Sequence, residues 1–124
     1  MKTHIELTEK AIVLPMEPVD DLEVGAQVDF QGIVRGTEKG DPIQGLNYQA
    51  HEPMAHLELA KILDDLAGLH PCDAVWIIHR LGYIPVGEIA LFVRVRSKHR
   101  KAALRLTDEL IDRLKRDVPI WKLS

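Results

Sequence analysis

Cysteine is almost missing from this chain: Cys72 is the only one in 124 residues. A lone thiol closes no disulfide within the chain and builds no cysteine-based zinc cluster. Aromatic side chains are also few, six in all. Only Trp121 falls in the most basic stretch, too little for a base-stacking platform. The formal charge is −3, and a net negative protein is poorly suited to nonspecific duplex binding. No apolar run approaches the roughly 20 residues that a membrane-spanning helix needs. The first residues lack a signal-peptide pattern, and there is no internal repeat or low-complexity linker. The expectation is a cytoplasmic protein with neither membrane nor nucleic acid as partner. An apolar fraction of 46% and a charged fraction of 28% are ordinary for a globular chain. Residues 1–124 read as one domain, large enough for a core but near the size at which partners help.

The residues themselves alternate between strand and helix signals. Ile5 and Leu7 predict an edge strand, and Pro18 a short helix running to about Glu23. From Ala26 to Val34 the pattern alternates, with Ala26, Val28, Phe30, Gly32 and Val34 on one face and Arg35 closing the more polar one. Lys39-Gly40-Asp41-Pro42 is an exposed turn signal. Gln44 to His51 reads as a second strand, paired with the first as a hairpin. Pro53 opens a helix that ends near Gly68. The run Val75-Trp76-Ile77-Ile78 is a buried strand, Gly82 to Gly87 a turn, and Glu88 to Arg96 another alternating strand. This order predicts an α+β fold with a mainly antiparallel sheet and flanking helices.

The last segment is the most distinctive. Ser97 can cap a helix, apolar residues recur at helical spacing through Ala103, Leu106, Leu110 and Leu114, and Pro119 ends the helix by about Asp117–Val118. From Arg94 to Lys122 there are ten lysines and arginines against four acids, a local balance of +6. The rest of the chain therefore carries −9. A basic segment on an acidic body suggests a region that receives an anion. Taken singly, each charge has an ordinary explanation. Arg35 at a strand end is usually solvated, and Lys115 in a last helical turn suits the helix dipole. His99 and Arg100 in a first turn oppose that dipole, a mild reason to look for a ligand there. An exposed Trp121 in a terminal tail is unusual unless it packs on something. His79 and Arg80, ending a buried strand, read as structural, and Cys72 as inert.

In combination these residues resemble the large, catalytic subunit of molybdopterin synthase. The match runs in order through Phe30-Gln31-Gly32-Ile33-Val34-Arg35, Ile78-His79-Arg80-Leu81-Gly82, Ser97-Lys98-His99-Arg100, Lys115 and Pro119-Ile120-Trp121-Lys122. It covers about Val28 to Lys122. The resemblance implies an α/β-hammerhead-type fold. It implies a sulfurtransferase that converts cyclic pyranopterin monophosphate into the molybdopterin dithiolene, in molybdenum cofactor biosynthesis. The sulfur would come from a small ubiquitin-like partner with a C-terminal thiocarboxylate; one cysteine cannot itself deliver two sulfurs. Carried over residue by residue, Arg35, His99 and Arg100 would bind the substrate. Lys115 and Lys122 would be catalytic, with no metal and no cofactor at this step.

Spacing adds a constraint of its own. Arg100 and Lys115 are fifteen residues apart, on the order of 22 Å along a helix, too far for one small pterin to touch both. Either the helix breaks, or the two act in different sites, or the ends of two subunits meet. Nothing between Lys101 and Leu114 is Gly or Pro, which disfavours a break. The resemblance implies the last option, a homodimer that forms a heterotetramer with its partner. The alternative is a non-catalytic anion- or partner-binding module of the same fold.

Overall fold

The computed structural model describes residues 1–123. Strands β1 (Lys2–Thr8), β6 (Ala74–Arg80), β8 (Ile89–Ser97) and β2 (Ala26–Ile33) form a four-stranded sheet in that spatial order. β1 lies at the edge, as Ile5 and Leu7 predict, and runs parallel to β6, while the other pairs are antiparallel. Helices α1 (Glu52–Leu69) and α2 (Arg100–Asp117) pack on one face. There α1 buries Leu59, Ile62, Leu63 and Leu66, and α2 buries Leu106, Leu110 and Leu114, against Val75, Ile77, Leu91, Val93 and Val95. Each such side chain contributes about 1.5–3 kcal/mol. The α+β expectation holds.

The opposite face is where a sequence expectation fails. No helix starts at Pro18; the chain from 9 to 25 crosses the sheet as an irregular strap. Two buried arginines of β8 explain it. Arg94 makes a two-pronged pair with Asp29 at 2.8 and 2.9 Å and donates to the Pro15 carbonyl at 2.6 Å. Arg96 donates to Gln27 Oε1 at 2.8 Å and to the carbonyls of Glu17 and Pro18. Buried guanidinium groups need all these acceptors. A helix starting at Pro18 would commit the Glu17 and Pro18 carbonyls to its own turns.

The expected hairpin between Ala26–Val34 and Gln44–His51 does not form either. A small hairpin, β3 (Thr37–Glu38) with β4 (Asp41–Pro42), intervenes and turns at Lys39 and Gly40, both at positive φ. That geometry matches strand twist. β5 (Gly45–Ala50) then becomes the middle of a separate three-stranded sheet, between β7 (Gly82–Pro85) and β9 (Ile120–Leu123). Most of the stretch expected as a turn at Gly82–Gly87 is thus strand β7, and Gly87 at φ 88° makes the turn proper. At the start of α2, Ser97 is a buried strand residue whose hydroxyl bonds the His99 carbonyl. His99 occupies the cap position, without a side-chain cap bond. The helix ends at Asp117, as expected.

β5 and β7 approach so closely at Gly45 that a Cβ there would lie 2.5 Å from the Tyr83 ring and 2.6 Å from the Ile84 carbonyl oxygen. Gly45→Ala should therefore destabilise the protein by about 1–3 kcal/mol, read as a lower denaturant midpoint. An unchanged midpoint would show that β5 and β7 separate without cost.

Candidate functional site

A cleft of about 460 Å³ opens where three strands of the four-stranded sheet meet the three-stranded sheet and the last turn of α2. Phe30 and Gly32 of β2, His79 of β6 and Leu91 of β8 line its inner part; Leu46 and Tyr48 of β5 form a wall. Near its inner end the β2–β8 register shifts between Gly32 and Ile33, where β8 supplies Ala90 as an extra residue. Ala90 packs with Val34 and Ile84 in a second apolar cluster. Such bulges end regular pairing and re-aim the residues just beyond them, here Arg35. β9 closes the cleft: Tyr48 lies opposite Lys122, Gln49 opposite Trp121 and Ala50 opposite Ile120. The exposed indole of Trp121 thus belongs to a paired strand that lines the cleft.

Three of the five residues singled out in the sequence converge here. Arg35 from the end of β2, Lys115 from the last turn of α2 and Lys122 from β9 all line the cleft. Among the described residues the one carboxylate lining the cleft is Glu38, which sits 3.2 Å from Lys122 Nζ. Three cations against one acid give the cleft a positive lining, which suits an anion. The remaining two residues lie elsewhere. His99 and Arg100 are exposed at the opposite end of α2, in a shallow depression with Gly25, Ala26, Lys98, Lys101 and Ala102. α2 is one unbroken helix over Arg100–Asp117, so within one chain its two ends do not share a ligand.

The +6 balance of the terminal segment also divides. Arg94 and Arg96 serve the strap, Lys98 pairs with Glu23, Arg113 with Asp65 and Arg116 with Asp117. Three cleft residues were not predicted from the sequence as site residues: Tyr48, His79 and Glu38. The Glu38–Lys122 pair spans 84 positions, beyond any local pattern. Tyr48 and His79 meet edge to face, with ring centres 5.1 Å apart. Burial holds the Tyr48 phenol above its ordinary pKa, against the nearby Lys122 charge. Burial likewise holds the His79 imidazole below its ordinary pKa, so His79 is neutral at pH 7. Arg80 pairs with Glu88 at 2.7 Å and keeps its structural reading. Cys72 has its thiol pushed up to about 11 by burial and by Asp73, well away from a reactive thiolate.

Among the described residues no group of three or more His, Cys, Asp or Glu is placed to hold a metal ion, and no helix is long and apolar enough to cross a membrane. The Glu38–Lys122 pair is solvent-accessible and adds at most about 1 kcal/mol to stability. Glu38→Gln should leave the unfolding midpoint nearly unchanged while strengthening inorganic phosphate binding to the cleft several-fold, measured by titration. Weaker phosphate binding in that variant would contradict an anion receptor with Glu38 as its competing charge.

Comparison with known proteins shows the family. The family described as "MoaE protein" matches residues 3–117. A molybdopterin synthase catalytic subunit of Staphylococcus carnosus is 43% identical over 98 residues, 79% of this chain and 65% of that protein. One from Dictyostelium discoideum is 37% identical over 98% of this chain and 79% of its own length. The chain thus spans about two thirds to four fifths of these relatives. Among solved structures, molybdopterin synthase from Staphylococcus aureus superposes with a TM-score of 0.83 at 35% identity, covering 94% of this chain and 87% of that one. A complex of subunits 1 and 2 of the molybdopterin-converting factor from Helicobacter pylori gives 0.71 at 26% identity, covering 97% and 82%. With residues 3–117 of its 124 and its fold matched, this chain belongs to the MoaE family, that of the molybdopterin synthase catalytic subunits.

Proposed function

We propose that this chain is the catalytic subunit of a molybdopterin synthase. In this reading it takes sulfur from the C-terminal thiocarboxylate of a small ubiquitin-like partner and installs it, as a dithiolene, on cyclic pyranopterin monophosphate. The observation that carries the proposal is the convergence of Arg35, Lys115 and Lys122, from three separate elements, on one cleft. The names of the relatives support the reaction, and the Helicobacter pylori complex supports a second subunit.

The roles follow from the chemistry of each group. Both incoming species are anions, a phosphate ester and a thiocarboxylate. Arg35 matches phosphate oxygens with its planar fork. Lys115 acts as base or as nucleophile toward the thiocarboxylate carbonyl. Lys122, held at the cleft rim by the β5–β9 ladder, stabilises charge that develops on oxygen or sulfur. The partner's tail enters as an extended, glycine-ended segment that reaches both lysines. His99 and Arg100 contribute from a second copy of the chain, because α2 separates them from Lys115 by about 22 Å. Two chains therefore form a two-fold homodimer with two composite sites, which binds two sulfur-carrier subunits as a heterotetramer. No metal or cofactor takes part in this step, and the assembly works in the cytoplasm.

Lys115→Ala should lower sulfur transfer by roughly 10²-fold or more. Its effect on stability should stay within about 0.5 kcal/mol, as for other surface substitutions. Turnover near the parent's level would remove Lys115 from the mechanism. Mixing inactive Arg100→Ala and Lys115→Ala proteins should regenerate one intact site per mixed dimer and restore part of the activity. Persistent inactivity after verified subunit exchange would show that each site is confined to one chain.

A further inference from the structure

The cations of the cleft account for an anion, but not for His79, the one buried imidazole among the lining residues. His79 is only 4% exposed and lies at the end of β6, opposite Leu91 and beside the wall strand β5. Two contacts fix its ring. Its Nδ1 is 2.7 Å from the Arg80 carbonyl oxygen, which can only accept, so the proton sits on Nδ1. The Tyr48 ring meets it edge to face. Nε2 is then an unprotonated acceptor. It makes no hydrogen bond to any described residue, yet it is not sealed from solvent. His79 lines the cleft. A buried acceptor with a fixed tautomer, on a residue that lines the same cleft as Arg35, Lys115 and Lys122, suits a donor carried by the ligand itself.

We infer that His79 Nε2 accepts a hydrogen bond from an N–H or O–H group that the ligand carries next to its anionic end. The inference rests on the proposed synthase reading and deepens it, with His79 as a residue that positions the ligand. Two sources supply such donors: the backbone amides of a glycine-ended tail, and the ring N–H and hydroxyl groups of the pterin. A neutral acceptor also selects against simple anions, which the lysines alone would bind.

Two substitutions separate this role from a structural one. Asparagine keeps a donor at the Nδ1 position and offers nothing at Nε2; glutamine places an acceptor near Nε2 and gives up the bond to Arg80. The probes are a peptide ending in Gly-Gly and cyclic pyranopterin monophosphate, titrated calorimetrically against the whole chain. His79→Asn should bind at least one probe tenfold or more weakly than the parent, and His79→Gln should recover most of that loss. The probe that weakens identifies the source of the donor. In the unsubstituted protein, the ¹⁵N resonance of His79 Nε2 should shift on saturation with that same probe, a readout that does not depend on either variant folding. Parent-like binding by His79→Asn, or an Nε2 resonance unmoved by bound ligand, overturns the inference and leaves the synthase reading standing. Failure of the unsubstituted chain to bind either probe overturns both.

Discussion

The ladder between β5 and β9 is the constraint on which the candidate site depends. Without it, Ile120, Trp121 and Lys122 would be a solvated tail, and a lysine on a tail has no fixed direction. Pairing Ala50 with Ile120, Gln49 with Trp121 and Tyr48 with Lys122 makes the tail a wall. The same strand, β5, holds Tyr48 against His79. It is itself held by β7 through the close approach at Gly45. The His51 amide also bonds the Pro119 carbonyl at 3.1 Å, so the entry to α1 and the exit from α2 are tied together beside the cleft. The catalytic candidates thus sit on elements fixed by backbone pairing, which gives a binding site its precision.

Charge in this protein is divided by burial. Arg94 and Arg96 lie two and four residues beyond Phe92 on the same strand face. Every guanidinium nitrogen has an acceptor, from Asp29, Gln27 and three strap carbonyls. They act as clamps: Asp29 neutralises Arg94, and neutral oxygens hold Arg96. Arg35, Lys115 and the α2 N-terminal pair His99 and Arg100 are exposed, free to meet an anion. A rigid helix of 18 residues separates the two exposed groups. In the proposed reading, a second copy of the chain bridges this separation.

Much of this was legible in the residues. The strands read over Ala26 to Val34 and Glu88 to Arg96, the helix from Pro53 and the end of α2 before Pro119 all arise from local pattern. Arg35, Lys115 and Lys122 were identifiable because their motifs are local, and the structure brings them together. What was hidden depends on distant partners. Strand β5 pairs with β7 and β9 instead of β2, in keeping with the small hairpin at Lys39–Gly40 and the close approach that only a glycine at position 45 allows. The strap takes its irregular path because two arginines some 78 positions away need its carbonyls. His79 reads as a core residue and is one by burial; only the three-dimensional arrangement places it on the cleft.

The most direct measurement is reconstitution of the reaction itself. The chain is incubated with cyclic pyranopterin monophosphate and a thiocarboxylated ubiquitin-like partner, and the product is analysed by mass. A pterin that has gained two sulfurs as a dithiolene, with the partner's tail returned as a carboxylate, is the expected result. Unchanged pterin and intact thiocarboxylate, from a folded chain that binds both, would contradict a sulfurtransferase and favour a non-catalytic binding module of the same fold.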